Sequence, residues 1–136
     1  MESFTKKNEG LKYYTMIDIK KYDQSNVFAK ILSGEIPCDI VYEDNKVIAF
    51  KDIKPQAPIH IVVIPKDEFC SLDDFSKKAS PETITYLIRS INIIAEKLSL
   101  QDGYRVISNV GTIGGQEVPH THIHILSGKK LGRIIP

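Results

Sequence analysis

Three of the four histidines occur at alternate positions, His120-Thr121-His122-Ile123-His124, and the segment runs on as Ile125-Leu126. In a β-strand successive side chains point to opposite faces, so this spacing predicts three imidazoles on one face and Thr121, Ile123 and Ile125 on the other. Imidazole is the side chain whose unperturbed titration falls near neutral pH, so such a row suits proton transfer, metal binding or nucleophilic attack.

Metal binding is the first possibility, because His-x-His on a strand can offer two imidazoles to one zinc ion. The outer pair would lie roughly 13 Å apart along a strand, too far for all three to converge, so a site needs two of them plus His60 or a carboxylate. Attack on phosphorus is the second. A neutral imidazole attacks through one ring nitrogen if the other keeps its proton and donates it to a fixed acceptor such as a backbone carbonyl. The flanked His122 is then the natural nucleophile, His124 the proton donor to the leaving group, and the His120 region the fixer of the tautomer.

Gly111-Thr112-Ile113-Gly114-Gly115-Gln116 lies just ahead of the histidines. Glycines let backbone amides approach an anion closely, although Gly114-Gly115 also suits an ordinary turn. His60 sits on an apolar strand, where a lone histidine reads as a hydrogen-bonded core side chain unless that strand adjoins the row. Asp52 begins a proline-bounded loop, which its carboxylate could cap, or it could accept both hydroxyls of a ribose. Phe28, Ile31, Phe50 and Ile53 read as core, with some available to line an apolar slot for a base.

The elements that must position these residues follow from local pattern. Ser25 is the expected cap of a short helix through Val27, Phe28, Ile31 and Leu32, ended by Gly34. Asp39 to Glu43 and Lys46 to Lys51 read as strands joined at Asp44-Asn45, and Ile59 to Ile64 as a third strand closed by Pro65. Ser80-Pro81-Glu82 starts the main helix, with Ile84, Leu87, Ile88, Ile91, Ala95 and Leu98 at helical spacing. Tyr104 to Val110 and Val118 to Leu126 are the expected fourth and fifth strands. The fold class is α+β: an antiparallel five-stranded sheet with one long and one short helix.

At 136 residues with 42% apolar content, the chain suits one domain with a real core. Met1 to Lys21 reads as a flexible arm and 22–136 as the domain, with Met16 an equally good internal start. Eighteen basic against 17 acidic residues give a formal charge of +1, so no bulk attraction to nucleic acid or anionic membrane is expected. Cys38 and Cys70 lack a disulfide or metal framework and read as reduced thiols in a cytoplasmic protein. No apolar run has the length of a membrane span.

Taken together, these residues resemble the histidine triad (HIT) family of nucleotide hydrolases and transferases, whose signature is His-φ-His-φ-His-φ-φ with φ hydrophobic. His120 to Leu126 matches with Thr121 the one departure. The likeness extends through Phe28-Ala29-Lys30-Ile31, Gly34-Glu35-Ile36-Pro37, Phe50-Lys51-Asp52-Ile53, Pro55-Gln56-Ala57-Pro58, His60, Ile64-Pro65 and Gly114-Gly115-Gln116-Glu117-Val118. It covers about Asn26 to Ser127 and is similar to the nucleotide-binding branch that acts as purine nucleoside phosphoramidases. The third histidine disfavours the sugar-1-phosphate nucleotidyltransferase branch, which typically has glutamine there.

The resemblance implies a homodimer with its two sheets joined, and a pocket for a purine nucleotide, as AMP or GMP conjugates, on each subunit. His122 would form a nucleotidyl intermediate and His124 would contact the phosphate. Asp52 would hold the ribose, and Ile53, Phe28, Ile31 and Phe50 the base. Asn109, Gly115, Gln116 and Glu117, with Val118 beside them, would surround the phosphate and the histidines, and His60 would join the catalytic group. No cofactor is implied, and Ala29 stands where some members carry a zinc-binding cysteine. Glu117 stands where eukaryotic relatives often have serine, and a carboxylate there repels phosphate unless it points away. The tail also lacks the Trp-Pro-Pro-Gly ending of some members. Dinucleoside polyphosphate cleavage and a nucleotide-dependent adaptor role are the alternative functions.

Overall fold

The computed structural model describes residues 4–7 and 13–135. Two short strands, β1 (Phe4–Lys7) and β2 (Tyr13–Met16), pair antiparallel within the segment expected as an arm. The remainder of that arm before Tyr13 lies outside the described residues. Among the described residues no helix is long and apolar enough to cross a membrane.

The expected five-stranded antiparallel sheet is present: β3 (Ile40–Glu43), β4 (Val47–Lys51), β5 (Ile59–Pro65), β6 (Arg105–Ile107) and β7 (Ile123–Ser127), in the order β3-β4-β5-β7-β6. Its first hairpin closes where the Asp44-Asn45 turn was expected. Asp44 Oδ1 accepts from the amides of Lys46 and Val47, each at 2.8 Å, which supplies partners the ladder does not.

Period-two alternation divides the sheet into two apolar layers. Val47, Ala49, Ile61, Val63, Ile123 and Ile125 face a core completed by Phe75, Leu87, Ile94 and Ala95. Ile48, Phe50, Val62 and Ile64 turn the other way and pack with Phe28. His60 and His124 alternate with the first set along β5 and β7, so the sheet places them on the Phe28 side.

The long helix α3 (Pro81–Lys97) starts as expected, with Ser80 accepting from Thr83 N and Pro81 in the first turn. Its buried stripe is Leu87, Ile94 and Ala95, while Ile88 is 54% exposed and does not join the core. The helix α1 (Val27–Leu32) is capped by Asn26 rather than Ser25: Asn26 Oδ1 accepts from Ala29 N at 2.9 Å. A further short helix, α2 (Leu72–Lys78), was not expected from the apolar pattern. Its signal lay in polar residues: Ser71 caps it, with Asp73 and Asp74 in the first turn and Lys77 and Lys78 in the last, matching the helix dipole.

The main departure concerns the last strand. Instead of Val118 to Leu126, β7 begins at Ile123, so His124 alone of the three histidines is on a strand. The ladder pairs Val63 with Ile123, and two further steps would set Thr121 opposite Pro65. Pro65 has no N–H to offer, and its carbonyl is taken by the His120 ring at 2.8 Å. Thr121 instead bonds sideways, its amide to Phe69 O at 2.8 Å and its hydroxyl to Ser71 O at 2.8 Å. That accounts for a polar residue at the one position departing from the hydrophobic pattern. The fourth strand shortens with it: β6 ends at Ile107, opposite His124.

Candidate active site

The four histidines meet on the Phe28 side of the sheet, at the end of β7. His60 stands opposite Leu126 and His124 opposite Val62, which makes the two histidines diagonal neighbours on adjacent strands. The His122 and His124 rings lie edge to face with centroids 5.0 Å apart, and Phe28 presses edgewise on His122 at 5.0 Å. His120, completely buried, lies behind His122, away from solvent.

The hydrogen bonds determine which nitrogen of each neutral ring carries the proton. His122 Nδ1 lies 2.6 Å from the His120 carbonyl, which can only accept, so Nδ1 carries hydrogen and the lone pair sits on Nε2. Gln56 N–H donates to His60 Nδ1 at 3.0 Å, so the His60 proton is on Nε2, facing His124 Nδ1 at 2.9 Å. His124 therefore accepts at Nδ1 and carries its own hydrogen on Nε2. His120 Nε2 donates to Pro65 O and its Nδ1 accepts from the Tyr22 hydroxyl at 2.6 Å. The Pro55-to-Pro58 loop thus supplies, through the one amide of Gln56, the donor that orders this series.

Burial is the leading cause that lowers all four histidines below the ordinary histidine value. His120 falls to about 4, chiefly by desolvation. His124 also falls to about 4, by desolvation and then by the neighbouring imidazoles of His122 and His60, against which Asp52 acts. His122 and His60 are lowered as well, with Asp52 opposing the fall in each. The site is therefore a set of neutral imidazoles at neutral pH.

Asp52 shows the first of its expected uses. Oδ1 caps its own loop by accepting from Lys54 N at 2.8 Å, while Oδ2 stands 3.5 Å from His60 Nε2. One ligand atom from each of Asp52, His60 and His124 lies within 4.8 Å of the others, a group with one histidine of the row where the spacing called for two. Both facing nitrogens of that group already share a hydrogen bond, which a cation would have to displace.

The apolar residues divide. Phe28 and Phe50 are buried, Ile31 packs against them with Val118, and Ile53 projects into solvent, 91% exposed. In the glycine turn, Gly114 allows a close approach, since a Cβ there would lie 2.4 Å from Val110 O. Gly115 adopts φ +85° and lies beside the Asn109 amide. Gln116 requires a correction: its side chain points inward, with Nε2 donating to Cys70 O and Val118 O and Oε1 accepting from Gly111 N. The amides of Gly115 and Gln116 also close the turn, onto Thr112 O and Gly111 O. Gln116 therefore shapes the turn instead of presenting its side chain to a ligand. Glu117 is exposed.

Two contributors were not visible in the sequence. Ser108 Oγ donates to the His122 carbonyl at 2.7 Å, and Tyr22 reaches His120 from nearly one hundred positions away in the chain. Each acts through a partner that only the fold brings near.

Residues 33–131 match the family model described as the HIT domain. The chain is 49% identical over 117 residues to an uncharacterised HIT-like protein of Azospirillum brasilense, an alignment spanning 85% of this chain and 96% of that one. It is 40% identical over 112 residues to the purine nucleoside phosphoramidase of Escherichia coli, covering 82% of this chain and 94% of the relative. Among solved structures, a HIT family hydrolase from Clostridium thermocellum superposes with a TM-score of 0.77 at 37% identity, over 84% of this chain and 99% of that chain.

Proposed function

The chain belongs to the HIT domain family of nucleotide hydrolase-like proteins, and from that membership we propose that it cleaves purine nucleoside phosphoramidates through a nucleotidyl-histidine intermediate. The observation that carries the reading is the 2.6 Å bond from His122 Nδ1–H to the His120 carbonyl, which leaves the Nε2 lone pair for attack. His122 Nε2 bonds to the α-phosphorus as the P–N bond breaks, and the amine departs protonated. Water then cleaves the Nε2–P bond and releases the nucleoside monophosphate.

His124 serves the phosphate through Nε2–H. The negative phosphate raises the proton affinity of His124, so that its Nδ1 takes up a proton from solvent with the substrate bound and its Nε2 proton passes to the departing amine. Asp52 Oδ2, already beside His60 Nε2, is the acceptor to which His60 N–H turns when His124 is loaded, and its other contacts suit the ribose hydroxyls. Ile53 covers the base from the open side, over the apolar floor of Phe28, Ile31, Phe50 and Val118, while Asn109, Gly115 and Glu117 border the phosphate. Glu117, being exposed, can turn away from the anion.

A homodimer is the proposed assembly. The edge strand β6 carries Val106 at 44% exposure, and one flank of α3 carries Tyr86 and Ile93. These are apolar surfaces that a joined sheet and a paired helix would cover.

Mass spectrometry of enzyme quenched during turnover of adenosine phosphoramidate tests the chemistry. A nucleotidyl adduct is expected in the unaltered protein and absent in His122→Ala. Turnover that needs added zinc and shows no adduct would overturn the mechanism, and faster cleavage of a diadenosine polyphosphate would reassign the substrate.

A further inference from the structure

Residues 17–22, between β2 and α1, run along the back of the site. Ile17 N–H donates to Thr112 Oγ1 at 2.9 Å, and Ile19 Cδ1 sits 3.5 Å from where a Cβ on Gly111 would project. At the end of this stretch Tyr22 places its hydroxyl 2.6 Å from His120 Nδ1, with its ring edge-on to the imidazole at a centroid distance of 5.5 Å.

The direction of that hydrogen bond is determined. His120 Nε2 faces the carbonyl of Pro65 and must donate to it, so in the neutral ring Nδ1 accepts and Tyr22 donates. Tyr22 therefore directs its own proton to His120.

His120 is thus held at both ring nitrogens, by the lead-in to α1 on one side and the end of β5 on the other, while its backbone carbonyl holds His122. We infer that Tyr22 is a positioning residue for the phosphoryl transfer: its hydroxyl keeps His120 in one tautomer and rotamer, so that the His120 carbonyl stays aimed at His122 Nδ1 and His122 Nε2 at the substrate. Tyr22 touches no reacting atom. Without the hydroxyl, His120 Nδ1 is a buried acceptor lacking its donor, which is relieved by rotation or by a mixture of tautomers. Either response loosens the carbonyl, and small misplacement of a nucleophile lowers turnover steeply.

This inference rests on the proposed chemistry at His122, and the test separates the two. The full-length protein is labelled with ¹⁵N-histidine, and its four histidines are followed by NMR in the unaltered protein and in Tyr22→Phe, which retains the ring. In the unaltered protein His120 should show Nε2–H with a hydrogen-bonded Nδ1, and His122 the opposite tautomer. In Tyr22→Phe the His120 Nδ1 resonance should move and that of His122 should broaden or shift. Phosphoramidate kcat should fall roughly tenfold with KM within about twofold.

An Nδ1–H tautomer at His120 in the unaltered protein overturns the inference whether or not the variant folds. So does a kcat within about twofold of the unaltered protein, or a loss of kcat with all imidazole resonances unmoved. Failure of the unaltered protein to form a nucleotidyl adduct would refute the hydrolase reading while leaving the tautomers still to decide the role of Tyr22 at His120.

Discussion

Acidification should destabilise this protein through His120 before its carboxylates titrate in bulk. The ring is completely buried, and its pKa falls from 6.5 to about 4, mainly because burial disfavours the charged form. The unfolded chain therefore binds a proton at His120 more readily than the folded one, and stability is lost as pH falls from about 6.5 towards 4. Between pH 7.5 and 5 the contribution of His120 alone amounts to about 2 kcal/mol. For a domain of this size that lowers the midpoint of thermal unfolding by about 7 °C. The other three histidines are also lowered, so they add to the loss.

Urea unfolding followed by circular dichroism at fixed protein concentration and ionic strength measures this, because the sequence has no tryptophan to follow. His120→Gln should flatten the profile by about 2 kcal/mol over the same interval, whatever its absolute stability. A loss below about 0.5 kcal/mol between pH 7.5 and 5 in the unaltered protein would show that the folded site accepts the proton, and the neutral-imidazole reasoning would fail.

Three further outcomes are expected. The acid limb of kcat/KM should have its midpoint below 6.5, since His122 attacks only when neutral and burial lowers its pKa; a midpoint at or above 6.5 contradicts this. Gly114→Ala would place a Cβ 2.4 Å from Val110 O, so the turn must shift; denaturation should show a loss of about 2–4 kcal/mol and steady-state assays a raised KM. Ser80→Ala removes the bond to Thr83 N and should lower stability by about 1 kcal/mol, with kcat unchanged because α3 packs on the opposite face of the sheet from His122.

Much of the scaffold was legible because it depends on local rules. Asp44 could be read as a turn residue and Ser80-Pro81 as a helix start because each satisfies nearby backbone groups within a few positions. The β-branched run Ile59 to Ile64 likewise reads as a strand, and the fixed period of β pleating sets the face of His60 relative to its neighbours along it. The short helix α2 was missed because its cap and charges, rather than an apolar stripe, define it.

What the sequence by itself determined was the antiparallel α+β frame, the strands that carry His60 and His124, and the grouping of imidazoles with a glycine turn. Only the tertiary structure decided that His60 adjoins the row and that the three histidines differ in backbone setting. Pro65 ends the ladder, Thr121 turns to the Phe69 and Ser71 carbonyls, and His120 and His122 leave the strand that their spacing implied. The proton on each ring is then assigned by partners distant in the chain: Pro65 and Tyr22 for His120, the His120 carbonyl for His122, and Gln56 through His60 for His124. Alternation fixes the face that a side chain occupies; the donor or acceptor that meets its nitrogen is set by packing between elements.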